Sequence, residues 1–399
     1  MAIDQAAFAR KVIKALRKRR RLDGDIAYDA ATFGLTLPDA SRMFLGNLFA
    51  DWSAAPWYRK RGVIAHYLSA VGASNAVPTD RAAFRASLRI QLRDTAWLEL
   101  NRDLMAGDHP RADVLPATPL CPELALAPVI DSPTAMASVT ATQLREHGLS
   151  VDDAVQLGRA NLRAHSPRGF QRLAPGVFTS ATGDSYDASR LVLTELIARL
   201  DLRGDPVALV PSRDQLLITG SDDDVGLATV AAAARPLLDR PRAITGQAFV
   251  WRSGAWSAFL PPPAHPAHLA LRELAVITDA RAAADQKAQL EAVHADDPTA
   301  PFVATFTVMA HQDTRALASH CVWTEGVDTL LPRTDHVVLL GRLPDGELGQ
   351  PLRVPWASLQ ARAGHLMADQ GTCPARWRVA AFPSATELAA LAADAVPFD

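Results

Sequence analysis

From Val177 to Thr219 the chain reads VFTSATGDSYDASRLVLTELIARLDLRGDPVALVPSRDQLLIT, and this stretch restricts the fold more tightly than any other. Two short apolar runs, Val207–Pro211 and Gln215–Thr219, are joined by Ser212, Arg213 and Asp214, a spacing that suits an antiparallel hairpin. Upstream, Ala188, Leu191, Val192, Leu196 and Leu200 recur at helical spacing, which predicts a buried stripe with Arg190, Glu195 and Arg199 facing outward. Asp184 or Ser185 offers an oxygen to cap that helix, and Gly204 offers its end.

The same local signals organise the rest. Phe8, Val12 and Leu16 predict a first helix with one buried face. Ile26–Leu37 reads as a hairpin and Ala40–Trp52 as a helix with Met43, Leu48 and Trp52 inward. Trp57, Tyr58, Ile64, Tyr67 and Leu68 are expected to extend that apolar surface, with His66 a packed or surface residue. Residues 106–122 carry four prolines and read as a linker or crossing segment. Helices follow at Thr140–His147 and at Ser150–His165, the second capped by Ser150, and Asn161 is placed to bond a neighbouring strand. Asp222, Asp223 and Asp224 read as the start of a helix ended by Pro236, because they lack the spacing of a calcium loop. Ser253-Gly254 marks a hairpin that places Trp251 and Trp256 on the strands beside the turn, where one or both are expected as cross-strand packing partners. After the proline-rich Leu260–His268 come a long helix at Leu269–Val293 and a third set of strands and helices. These readings add up to an α+β chain, helices on mostly antiparallel sheets, in two to three linked units: 1–105, 123–262 and 269–399.

DSYDASR at Asp184–Arg190 followed by VPSRDQLLI at Val210–Ile218 resembles the paired signature of the YtpQ-like bacterial family, catalogued as domain of unknown function 1444. FARKVIKAL, LFADW, LRIQLRD and LSVDDAVQLGRANL fall in the same order, so the likeness covers residues 5–262. Ser185 departs from it, since similar chains tend to carry Gly there. The resemblance implies a soluble intracellular α+β protein and no mechanism.

Composition excludes several classes. A 49% hydrophobic and 21% charged chain is globular, and a net charge of −2 gives no general attraction to nucleic acid or anionic membrane. Cys121, Cys321 and Cys373 form no C-x-x-C, which argues for reduced thiols. With no apolar leader and no run long enough to span a bilayer, a cytoplasmic location is expected. The basic run Arg17–Arg21 is read as cations at a helix end, because no aromatics interleave it and no other region is strongly basic, so nucleic acid is not the expected partner. His265 and His268 lack a third ligand, and His311, His320, Cys321, His365 and Cys373 share no ligand spacing, so neither a metal nor a cofactor is expected. No phosphate loop, nucleophile elbow, dinucleotide fingerprint or zinc-protease motif occurs.

What remains is a polar cleft where the helix start at Asp184–Arg190 would meet the Ser212–Asp214 turn. It would gather Asp184, Tyr186, Asp187, Ser189, Arg190, Arg213 and Asp214. The competing explanation is structural: an arginine paired with an acid, and a tyrosine hydroxyl satisfied by the backbone. The preferred function is a noncatalytic binding or adaptor protein acting through protein contacts. The alternative is an enzyme, a hydrolase using the acidic and arginine cluster.

Overall fold

The computed structural model describes residues 4–20, 24–30, 33–38, 42–70, 77–106, 110–131, 136–167 and 169–397. Helix α1 (Gln5–Arg20) buries Phe8, Val12 and Leu16 completely, as their spacing predicted. Strands β1 (Ala27–Asp29) and β2 (Gly34–Thr36) form the expected hairpin. The predicted helix from Ala40 is corrected: Ala40 lies outside the described residues, Arg42–Phe44 is a third strand, β3, and helix α2 begins only at Gly46 and ends at Ala54. Met43 pairs with Leu35 across the small sheet, so tertiary pairing overrides the local helical pattern. In helix α3 (Lys60–Ala70), Ile64 and Leu68 reach the core, but Trp57 is 85% and Tyr58 64% exposed, against the expectation that both are packed. They sit in the turn after α2, closed by Arg59 N–H donating to Pro56 O at 2.9 Å, and belong to neither helical stripe.

Helix α4 (Arg81–Ser87) leads into β4 (Leu88–Asp94) and α5 (Thr95–Ala106). Residues 110–121 cross over through a single 3₁₀ turn into β5 (Thr118–Cys121); residues 107–109 of the predicted linker lie outside the described residues. Strand β6 (Leu124–Asp131) pairs with β4 along its whole length, from Leu88↔Ile130 to Asp94↔Leu124, so one sheet joins both sides of that segment. Strand β7 (Met136–Ser138) adds to its far end. Thr140 and Ser150 close capping boxes on α6 (Ala141–Glu146) and α7 (Val151–Ala164). Helix α7 lies directly on β4: a Cβ at Gly158 would meet Ile90 Cγ2 at 2.8 Å and the Arg89 carbonyl carbon at 2.9 Å. Asn161 Nδ2 donates to the carbonyls of Arg85 at 2.8 Å and Leu88 at 2.9 Å, fixing helix to strand as its position suggested.

The central sheet is built from β8 (Gln171–Ala174), β9 (Val177–Ser180), β10 (Pro206–Ser212), β11 (Gln215–Gly220), β12 (Ala248–Arg252) and β13 (Ala255–Phe259), in the order β13-β12-β10-β11-β9-β8. Both hairpins expected here form, and Trp251 and Trp256 are direct cross-strand partners with ring centroids 5.3 Å apart. Ser253 (φ +50°) and Gly254 (φ +83°) are both left-handed, the conformation that a two-residue turn between twisted strands requires. The predicted helix between β9 and β10 is far shorter than its apolar stripe implied. A 3₁₀ turn at Ala188–Val192 passes into a four-residue helix, α8 (Thr194–Ile197), and Gly204 lies well beyond it. Helix α9 (Asp224–Leu238) is capped by Asp223 and runs through Pro236, which stands inside its last turn and does not end it. Val207, Leu209 and Leu217 pack under α9, while Ala208, Val210, Leu216 and Ile218 pack against the 3₁₀ turn and the β4–β6 sheet. The sheet is therefore covered on both sides.

Helix α10 (His268–His294) starts directly after the proline-rich segment. Leu271 and Leu274 lie on the central core, and Ala283 and Gln286 are buried nearer its C-terminus. Beyond it, β14 (Phe302–Val303), β15 (Thr307–Ala310), β16 (Leu317–Thr324), β17 (Thr329–Pro332), β18 (His336–Leu340), β19 (Leu352–Pro355), β20 (Ala368–Asp369) and β21 (Arg376–Val379) make two four-stranded sheets, β14-β17-β21-β20 and β15-β16-β18-β19. Helices α11 (Trp356–Ala363) and α12 (Ala385–Ala392) complete this core. At its centre Arg376 is wholly buried without a carboxylate. Its guanidinium donates to Gln286 Oε1 at 2.6 Å and to the carbonyls of Ala304, Leu330 and Ala283 at 3.0, 3.1 and 3.2 Å. Burial pulls its pKa down to about 10. Among the described residues no helix is long and apolar enough to cross a membrane.

Two predictions follow from buried charge. Arg376→Ala removes a buried guanidinium and the four hydrogen bonds it donates, and should cost about 3–5 kcal/mol in urea unfolding. Asp94 caps α5, accepting from Trp97 N–H at 2.9 Å, but burial outweighs its amide hydrogen bonds and raises its pKa to about 6. A carboxyl whose folded pKa lies above its unfolded value loses stability as pH rises through the folded value. Asp94→Asn keeps the acceptor and removes the charge, so its advantage over the parent should be absent near pH 4 and grow to at most about 3 kcal/mol by pH 8.

Candidate functional site

The two corners expected to meet do so. Ala188 N–H donates to Arg213 O at 3.1 Å, and Arg213 Nη2 donates to Ser185 Oγ at 3.1 Å. Ser185 adopts φ +69°, a left-handed conformation that glycine accepts more easily than serine. The seven polar residues nevertheless divide into separate groups.

Asp187 is 0% exposed, and its carboxylate accepts from Ser180 Oγ at 2.6 Å, Thr182 N–H at 2.7 Å, Thr182 Oγ1 at 3.0 Å and Gly183 N–H at 3.0 Å. Arg190, expected to face solvent, is 3% exposed: this is the main correction to the predicted helix face. Its Nε donates to Ser166 Oγ at 2.9 Å, and its Nη groups reach Asp184 at 2.5 and 3.0 Å and Asp187 at 3.3 Å. A 3₁₀ turn has a tighter period than an α-helix, so position 190 turns inward where an α-helical register would expose it. Asp184 also accepts from Tyr186 N–H at 2.9 Å. Burial opposes its ionisation, but Arg190 and that amide outweigh burial and hold the carboxyl below its usual range.

Ser189 and Tyr186 point elsewhere. Ser189 Oγ accepts from Leu92 N–H at 3.0 Å, tying the 3₁₀ turn to β4. Tyr186 is buried in the core, and its hydroxyl has no hydrogen-bond partner, contrary to the expected backbone bond. Burial raises its pKa strongly and the Asp131 carboxylate adds to that, although no hydrogen bond of ordinary geometry reaches the hydroxyl.

Arg213 and Asp214 remain at the surface, joined at 3.3 Å, with side chains 21% and 41% exposed. Beside them lies a cluster that sequence reasoning missed. Arg213 N–H donates to Arg242 O at 3.0 Å; Arg242 in turn donates to Asp51 Oδ2 at 3.0 Å and meets Tyr67 Oη at 2.6 Å, and Tyr67 hydrogen-bonds Asp51. Its members lie 191 and 175 positions apart in sequence, so no local pattern announces them. The one clue in the chain was Tyr67 near the end of an amphipathic helix. Burial and then the Asp51 hydrogen bond push the Tyr67 phenol up to about 12, the opposite of what a nucleophile or base needs near neutral pH. The surface corner can therefore hold a polar or charged group.

The candidate metal ligands do not converge. His265 Nε2 lies 3.1 Å from Asp224 Oδ1 and His268 Nδ1 lies 2.7 Å from Pro261 O, and among the described residues no three His, Cys, Asp or Glu side chains gather as a cation site.

These roles separate by substitution. Asp187→Asn should destabilise the chain by about 2–4 kcal/mol, because an amide cannot accept all four donors or balance Arg190. Asp214→Ala should stay within about 0.5 kcal/mol, as a surface change does. Tyr186→Phe, which removes a hydroxyl that bonds nothing, should be neutral or slightly stabilising in the same urea titrations.

Comparison of the chain with protein-family models, with curated proteins and with solved structures finds no match in any of the three.

Proposed function

We propose that the chain is a YtpQ-like bacterial protein of the cytoplasm that binds a protein partner without catalysing a reaction. The observation that carries this reading is the internal use of its best chemical groups: Asp187 and Arg190 are buried and engaged with Ser180, Thr182, Ser166 and each other. A catalytic acid or base has to reach a substrate atom, and these two reach only their own chain. The half-exposed corner of Arg213, Asp214, Arg242 and Asp51 displays both signs of charge on rigid elements, which suits recognition of a complementary protein surface. The alternative, a hydrolase, would have to work from that same corner.

Affinity isolation of the tagged chain from its native host after mild crosslinking should recover a protein partner in near-stoichiometric amount, with recovery reduced at least severalfold for Asp214→Lys. Recovery of nothing above the untagged control would count against the proposal. Hydrolysis of generic ester or phosphoester substrates that disappears in Asp214→Ala would replace it with the enzyme reading.

A further inference from the structure

The first 70 residues carry 12 lysines and arginines against 6 acids, a net charge of +6 within a chain whose total is −2. Four of the chain's five lysines lie there. On α1, a helix without a single acidic residue, Arg10, Lys11, Lys14, Arg17 and Lys18 form its exposed stripe opposite the buried Phe8, Val12 and Leu16. Successive members four apart repeat about every 6 Å along the axis.

A second group stands at the α2–α3 corner, where Arg59, Lys60 and Arg61 follow the exposed Trp57 and Tyr58. One buried indole joins the two groups. Lys11 Nζ lies 4.9 Å and Lys60 Nζ 3.9 Å from the centre of the Trp52 ring, so row and corner form one continuous surface. Trp57 and Tyr58 meet edge to face at 6.0 Å, which leaves ring surface open to solvent on each. No ion pair joins any of these eight cations to a carboxylate among the described residues. Several arginines elsewhere are paired with acids, as are Arg235 with Asp239 and Glu273, Arg272 with Asp335, and Arg378 with Asp328.

We propose that this surface binds single-stranded nucleic acid, with the α1 row following the phosphates and Trp57 and Tyr58 stacking on bases. The partner has to supply both regularly spaced anions and flat aromatic faces, and a single strand supplies both. A duplex keeps its base faces covered. A membrane surface would want an apolar helix face to insert, and the apolar face of α1 is fully buried in its own core. The sequence argued against nucleic acid because aromatics did not interleave the basic run and no other region was strongly basic. The fold removes both objections by bringing residues 57–61 alongside α1.

The test is fluorescence anisotropy of the full-length chain with labelled dT₂₀ and U₂₀ strands, which also separates DNA from RNA. Affinity should fall roughly 100-fold between 50 and 200 mM salt, as expected when about five phosphate contacts release counterions. Lys14→Glu combined with Lys18→Glu should flatten that slope and weaken binding at least tenfold. Trp57→Ala should weaken it roughly five- to hundredfold with the slope unchanged. Unchanged thermal unfolding would show that these surface variants fold. No binding at 50 mM salt, binding indifferent to both variants, or equal affinity for a 20-base-pair duplex would each overturn the proposal. Binding to phosphatidylserine vesicles without binding to either strand would assign the surface to a membrane and overturn it as well.

Discussion

The structure depends on a sheet whose central strands, β10 and β11, are buried on both faces. Val207 and Leu209 of β10 lie under α9, and Ala208 and Val210 between them lie against the 3₁₀ turn and the β4–β6 layer. Each fully buried aliphatic side chain contributes about 1.5–3 kcal/mol, so leaving either side uncovered would forfeit much of the stability of a domain. Two covers are therefore obligatory, and they recruit distant parts of the chain: α9 and α10 on one side, α7 with β4 and β6 on the other.

The second cover explains the polar cluster. The segment between β9 and the 3₁₀ turn has to close over the sheet, and its amide groups cannot be left there without partners. Asp187 accepts from two of them and from two hydroxyls, and Arg190 balances the charge this brings inside. The same side chains fasten that loop to the sheet. Arg376 plays a similar part further along, where carbonyls from α10, from the segment after β14 and from β17 converge on one guanidinium. A carboxylate there would have to be buried too, whereas carbonyls carry no desolvation cost of a full charge.

Charge is consequently sorted along the chain. From β4 onward many arginines are matched to acids or carbonyls, among them Arg102, Arg190, Arg272 and Arg376. In the N-terminal region α1 turns its whole uncompensated row outward while its apolar face anchors Trp52 and Leu48 beneath it. The molecule that emerges has a net charge of only −2 but an uneven distribution, with a cluster of cations gathered beside the most exposed aromatic pair among the described residues.

Local signals were sufficient wherever the deciding interactions were local. The hairpins at Arg213-Asp214 and Ser253-Gly254, the capping boxes at Thr140 and Ser150, the Asp223 cap and the buried stripe of α1 all follow from contacts within a few residues, and all are legible in the amino-acid order. Other features were decided by partners far away. Met43 became part of a strand because Leu35 lay alongside it; Arg190 turned inward because a 3₁₀ turn, held by Ser189 on β4, replaced the longer helix. The joining of Arg242 to Asp51 and Tyr67, and of Lys11 to Lys60 over Trp52, likewise had no sequence signal. By itself the sequence determined most of the hairpins, turns and capped helices, because their deciding contacts lie within short windows. Only the tertiary structure decided which polar groups are enclosed and which are offered to a partner, because burial depends on what the rest of the chain places on top.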